Sequence, residues 1–295
     1  MINSCLIESG LYLNNIFKAT SLLSTITYVI NMSEEIDMVR ENKVKTVMNS
    51  GGLALGTYVG LADPQIVEII GLAGYDAAFI DMEHTTWDLS TIGEMIKSAD
   101  LVGITSVVRV PGNDENLILR LLDMGAEGII IPHIEGLEGA KRAVDAVRYP
   151  PMGTRGAAGS SRAARFGTVK WEDHVNTSNA QILLSVMCED DKGISEIEQI
   201  AALDGIDLVS IGPTDFSEYM GIRDPKDDRL RGKLNELAEA VKAVGKAKLS
   251  VPMNHPALPL DSNDLLELGV GYTHVGPPPG SILYQSLTSR LKDIR

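Results

Sequence analysis

Residues 77–84 read Ala77-Ala-Phe-Ile-Asp81-Met-Glu83-His84, a short apolar run that ends in a polar cluster. The pattern recurs in Ser106-Val-Val-Arg109-Val-Pro111, Ile129-Ile-Ile131-Pro132-His133-Ile-Glu135, Val186-Met-Cys-Glu189-Asp190-Asp191 and Ile211-Gly-Pro213-Thr214-Asp215. Runs that stay apolar rather than alternating are those of strands covered on both faces. Eight stretches qualify: 53–58, 77–81, 105–110, 128–132, 182–188, 208–212, 248–253 and 272–276. Helical patterns lie between them, at 64–73, 88–99, 114–122, 137–147, 194–202, 228–244, 262–268 and 281–292. Asp63 before Pro64 reads as a helix start, and Gly74, Gly125, Gly205, Gly245 and Gly269 read as helix stops. Eight strands alternating with helices predict a parallel α/β sheet, closed as a (β/α)8 TIM barrel. No Gly-x-Gly-x-x-Gly follows the first strand, which weakens a dinucleotide-binding fold.

The chain has 295 residues, 44% apolar and 22% charged, a globular composition. Residues 1–31 carry only Glu8 and Lys18 as charged side chains and lack an export signal's basic start. They are expected to be an N-terminal extension, leaving 32–295 as one barrel domain. Two cysteines cannot build a disulfide framework, which favours a reducing compartment and hence the cytoplasm. The formal net charge of −14 disfavours nucleic acid and anionic membranes as partners. It also means that an anionic substrate would need a local attractor. The connection between 149 and 182 looks like an unusually long loop, with Arg155, Arg162 and Arg165 and no acid among residues 150–165.

Barrel enzymes work where strands end and βα loops begin. Glu189 and Asp215 end consecutive strands, 26 positions apart, and so should sit side by side. Two oxygen ligands, with the remaining positions open, suit Mg2+ or Mn2+; each acid could equally cap a helix or pair on the surface. Arg109 at a strand end could hold a carboxylate and face a developing oxyanion, or pair with Asp81 or Glu83. His84 is a natural general base if a carboxylate orients it. Asp123, at an apolar helix end, needs a partner, and His84 is a candidate. His133 also ends a strand and is placed behind the reacting groups.

Together, 80–84, 107–111, 122–132, 148–156 and Ile211-Gly-Pro-Thr-Asp215-Phe-Ser217 resemble the HpcH/HpaI aldolases, with motif order kept from about Gly56 to Gly276. The resemblance implies a class II pyruvate aldolase dependent on a divalent metal, Mg2+, Mn2+ or Co2+. It implies Glu189 and Asp215 as metal ligands, and Arg109 as the residue that binds the keto oxygen and stabilises the enolate. It implies His84 as base, Asp123 as the acid that raises its basicity, and Gly212-Pro213-Thr214 as the loop that receives the substrate carboxylate, beside Asp215. It further implies a hexamer, a trimer of dimers, that exchanges a C-terminal helix between subunits. The partners would be a small 2-oxo acid and an aldehyde. The family's usual Gln two positions before the metal-binding Glu is Met187 here, which cannot make a strong hydrogen bond. The alternatives are an oxaloacetate decarboxylase or citrate-lyase-like CoA-ester lyase, whose nucleotide only the 155–165 loop could attract, and an inactive 2-oxo acid-binding protein.

Overall fold

A computed structural model describes residues 41–294 of the chain. The expected extension, 1–31, and the start of the expected barrel domain at Met32 lie outside the described residues. Eight parallel strands close in sequence order: β1 (Ala54–Tyr58), β2 (Ala77–Asp81), β3 (Thr105–Arg109), β4 (Gly128–Ile131), β5 (Leu183–Met187), β6 (Leu208–Ser210), β7 (Lys248–Ser250) and β8 (Val270–His274). β8 returns to pair with β1, which makes the ring complete. The expected (β/α)8 TIM barrel is therefore the fold. Every strand overlaps a stretch that the apolar runs mark, β8 starting two residues before its own, because each must be covered inside and out.

Alternation along the strands sorts their side chains into two cores. Ala54, Ala77, Phe79, Val107, Ile130, Leu183, Met187, Leu208 and Tyr272 fill the barrel interior. The opposite parity, such as Ala78, Ile80, Val108, Ile129, Leu184 and Val209, packs under the helices. Because Phe79 and Val107 point inward, so do Asp81 and Arg109 two residues on, and the register sets those two opposite each other.

The helices between strands begin and end largely where caps predict. α2 (Pro64–Leu72) opens on the Asp63 side chain, which accepts from the Gln65 N–H at 2.9 Å. α3 (Leu89–Val102) and α4 (Glu115–Met124) open on Asp88 and Asp114. Gly125 ends α4 with φ +100, a left-handed conformation that a side chain would strain. α5 (Gly136–Val147) follows β4.

Several helices depart from the periodic reading. α1 (Lys43–Asn49) has only seven residues and lies across the N-terminal end of the barrel, with Val44 and Met48 buried in the interior core. Its ties include Lys45 to Asp207 at 2.6 Å and Asn42 Nδ2 to the Glu127 carbonyl at 2.9 Å. α6 (Trp171–Gln181) occupies part of the connection that reads as loop. Short α7 (Asp191–Ser195) and α8 (Ile197–Ala201) replace one expected helix after β5. α9 (Pro213–Tyr219) starts in the segment after β6, and α10 (Asp228–Val244) precedes β7. α11 (Ser262–Glu267) opens with a capping box on Asp261, and α12 (Pro279–Lys292) follows β8.

The arginine-rich segment is not a free basic surface. Arg155 is fully buried, its Nη2 2.9 Å from Asp123 Oδ1 and its guanidinium 4.4 Å from the Tyr149 ring centre. Arg162 pairs with Asp100 and donates to the Met124 carbonyl at 3.1 Å. Both bonds tie the segment to neighbouring elements at the floor of the barrel. No described helix is long and apolar enough to cross a membrane.

Candidate active site

The C-terminal mouth of the barrel opens into a cavity of about 360 Å³. One side is lined by Met187, Ser210, Gly212, Pro213, Thr214 and Asp215, the other by Tyr58, Phe79, His255 and His274, with Arg109, His84 and His133 between them. The sequence-predicted residues other than Asp123 and Glu189 all line this space, and Glu189 stands directly behind it.

Glu189 follows β5 and is buried, its side chain 3% exposed. Its Oε1 accepts from the His133 backbone N–H at 3.2 Å and lies 3.0 Å from His133 Nδ1. Its Oε2 is buried without a hydrogen-bond partner. A Cβ on Gly212 would stand 2.6 Å from that oxygen and 3.7 Å from Asp215 Oδ2. Two carboxylates thus converge on one point that only glycine leaves open. Neither caps a helix with its side chain; that part falls to Asp190, whose Oδ1 accepts from the Gly193 N–H at 2.7 Å. Burial, reinforced by the charges of Asp215 and Glu83, pushes the Glu189 carboxyl above its ordinary range, although His133 works the other way. An orphaned buried oxygen beside a second carboxylate fits a divalent cation held by few protein ligands. Among the described residues no group of three or more His, Cys, Asp or Glu could hold such an ion.

Arg109 is held bidentately by Asp81, Nε to Oδ1 at 2.9 Å and Nη2 to Oδ2 at 2.7 Å, and its Nη1 lies 3.1 Å from Glu83 Oε2. The alternative of an ion pair with those acids is therefore realised, and it does not remove Arg109 from the cavity. Two of its five N–H groups are hydrogen-bonded to Asp81, and Nη1 is ion-paired with Glu83, so donors on both Nη atoms remain for a ligand. Burial disfavours its charge, but the bonds to Asp81 hold its pKa above the usual value. A fixed, charged guanidinium facing a cavity is the arrangement an oxyanion requires.

His84 stands exposed at the rim, its Nε2 3.6 Å from Glu83 Oε2. Within one chain the expected partner Asp123 does not reach it. Asp123 lies near the end of α4, just before β4, and so at the N-terminal end of the barrel, where Arg155 holds it. His84 follows β2 at the opposite end. The two residues cannot meet inside one barrel.

Spacing offers Glu83 only as an ion-pair partner for Arg109 and does not place the His133 ring. Glu83 joins Arg109 to His133, whose Nε2 is 3.0 Å from Glu83 Oε1. On the far wall the Tyr58 hydroxyl lies 3.1 Å from His274 Nε2, and Tyr58, Phe79 and His274 pack with ring centres 4.5–4.8 Å apart. Burial drives His274 down to about 3, so this wall is neutral. The strand-end position of His274 was its only signal in the sequence.

The chain matches the model of the HpcH/HpaI aldolase/citrate lyase family over residues 54–256. It is 34% identical to a 5-keto-4-deoxy-D-glucarate aldolase of Enterobacter sp. (strain 638) over 254 residues, covering 85% of this chain and 96% of that one. Among solved structures it resembles an HpcH/HpaI aldolase from Desulfitobacterium hafniense DCB-2, with a TM-score of 0.76 and 27% identity, over 85% of this chain and 95% of that one. The citrate synthase SbnG is also similar, with a TM-score of 0.72 and 27% identity, over 85% and 96% of the respective chains. The extent of these matches shows that the chain belongs to the HpcH/HpaI aldolase/citrate lyase family.

Proposed function

We infer that the protein is a divalent-metal-dependent aldolase that cleaves a 4-hydroxy-2-oxo acid to pyruvate and an aldehyde. The observation that carries this is the convergence of orphaned Glu189 Oε2 and Asp215 on one point at the mouth that Arg109 also lines. Glu189 and Asp215 would hold the cation, which when bound supplies Lewis-acid stabilisation of the developing enolate charge. The backbone of Gly212-Pro213-Thr214 borders the cavity where the substrate carboxylate would lie. His84 takes the proton of the 4-hydroxyl group. The oxygen's electron pair forms the aldehyde C=O, the C3–C4 bond breaks, and its electrons become the C2–C3 double bond of the enolate. The remaining N–H groups of Arg109 face the enolate oxygen, and a proton delivered to C3 gives pyruvate. The name 5-keto-4-deoxy-D-glucarate, numbered from its other carboxylate, describes a 4-hydroxy-2-oxo acid of this type.

The base also needs its acid. Asp123 and His84 lie at opposite ends of one barrel, so their pairing requires a second copy of the chain. α12 favours such an assembly: none of its residues is buried, and Ile282, Leu283, Tyr284 and Leu287 are all at least half exposed. Ile69, Leu72 and Leu101 are likewise exposed on α2 and α3. An exchanged α12 in a hexamer would cover such surfaces.

The decisive experiment measures pyruvate release from a panel of 4-hydroxy-2-oxo acids and oxaloacetate, with Mg2+, Mn2+ or Co2+ and with chelator. Metal-dependent cleavage of a hydroxy-oxo acid is expected, and none on any substrate would sink the aldolase reading. Turnover of oxaloacetate alone would favour the decarboxylase on the same enolate. A CoA-ester lyase is less well supported, since Arg155 and Arg162 are spent on Asp123 and Asp100.

A further inference from the structure

His133 follows Pro132 at the end of β4 with φ +48, the left-handed region that a non-glycine residue occupies only when its surroundings hold it there. What holds it is visible. Its backbone N–H donates to Glu189 Oε1 at 3.2 Å, its Nδ1 lies 3.0 Å from the same oxygen, and its Nε2 lies 3.0 Å from Glu83 Oε1. Glu83 is in turn fixed through its other oxygen by Arg109, and Arg109 by Asp81. The ring is 61% exposed, so burial is not what immobilises it; the two carboxylates are.

The consequence falls on Glu189. Both contacts from His133 fall on Oε1, and Oε2 is left bare toward Asp215 and the cavity. A carboxylate whose one oxygen is occupied cannot swing to offer both to a cation. Groups behind metal ligands that fix their orientation matter nearly as much as the ligands.

We propose that His133, clamped between Glu83 and Glu189, is a positioning residue that presents Glu189 to the metal through a single oxygen, Oε2. The proposal rests on the reading of Glu189 as a metal ligand. It also makes one connected unit of the group that binds the cation and the group that faces the enolate.

The test is equilibrium binding of Mn2+ alone to the metal-stripped full-length chain, followed by the electron paramagnetic resonance of free Mn2+. His133→Gly suits the backbone angle and removes the ring; His133→Asn also tolerates that angle and is too short to reach both carboxylates. Both are expected to weaken Mn2+ binding by roughly 10- to 100-fold without lowering the melting temperature, with partial recovery in His133→Gln. Glu83→Gln should weaken binding in the same direction by less. Binding in His133→Gly and His133→Asn within twofold of the parent, or tighter, overturns the proposal. Glu189→Gln separates the two ideas. If it binds Mn2+ as the parent does, or if the parent binds none, the metal reading fails and takes the proposal with it. If Glu189→Gln loses Mn2+ while the His133 variants match the parent, only the role of His133 fails.

Discussion

Arg148 at the floor of the barrel and Arg109 at its mouth are both inward-held guanidiniums, and they are treated in opposite ways. Arg148 is 1% exposed and gives its donors to the Gly205 carbonyl, the Asn179 and Ile182 carbonyls and Asp207 Oδ2. Asp207 also accepts from Lys45 and from the Leu184 N–H. That network uses all five N–H groups of the guanidinium, and none of its residues lines the cavity at the mouth. Arg109 is also pinned, but it lines open space and sits in a chain of charges that ends on a bare Glu189 oxygen. Buried polar groups are ordinarily satisfied. A saturated cluster therefore reads as architecture, and an unsaturated one beside a cavity reads as chemistry.

The largest break in this contrast should come from the bare oxygen. Glu189→Ala and Asp215→Ala are each expected to lower metal-dependent pyruvate release by at least about a thousandfold while the circular dichroism of the barrel persists. Parent-like turnover in both would remove the metal site. Next comes the base. His84→Ala and Asp123→Ala should each lose roughly 100- to 10,000-fold in kcat. Because the pair would form between chains, mixing and reassembling the two inactive variants should restore some intact sites. A sedimentation profile of monomers, or no recovery on mixing, would refute the shared site.

Arg109→Ala should cost roughly 100- to 1,000-fold in kcat, since its charge acts on the developing enolate; a change confined to KM would contradict that role. Arg148→Met is the matching change at the floor. It should destabilise the fold by about 3 kcal/mol in urea titration, because Asp207 loses a buried partner, while kcat per folded chain stays unchanged. A fully stable but slow variant would show that the Arg148 network takes part in catalysis.

The two ends also differ in how much of them the sequence discloses. The strands were legible because covering both faces forces uninterrupted apolar runs, and the mouth was legible because polar residues must follow those runs. α1 and α6 were not: α1 is two turns long, and α6 carries few apolar residues and only His174 buried. Within one chain His84 and Asp123 stay apart for a topological reason. A helix end before a strand faces the floor, and a strand end faces the mouth, so their closeness in chemical logic had no counterpart within the chain. The clamp on His133 depends on one left-handed backbone angle, which spacing does not encode.

The smallest expected effect concerns Met187, which lines the cavity and lies beside Gly212 and the bare Glu189 oxygen. Its thioether fills space there and offers no strong hydrogen bond. Met187→Gln nearly conserves the volume and places an amide where a substrate oxygen would lie. Burying that amide should cost roughly 1–3 kcal/mol of stability without substrate, and less once the substrate satisfies it. Improved binding should appear as a KM about tenfold lower or less, with kcat little changed, because an amide that binds substrate and transition state alike accelerates nothing. A large rise in kcat would show instead that the methionine suppresses the chemistry. Loss of activity at unchanged stability would show that the thioether itself shapes the substrate this mouth accepts.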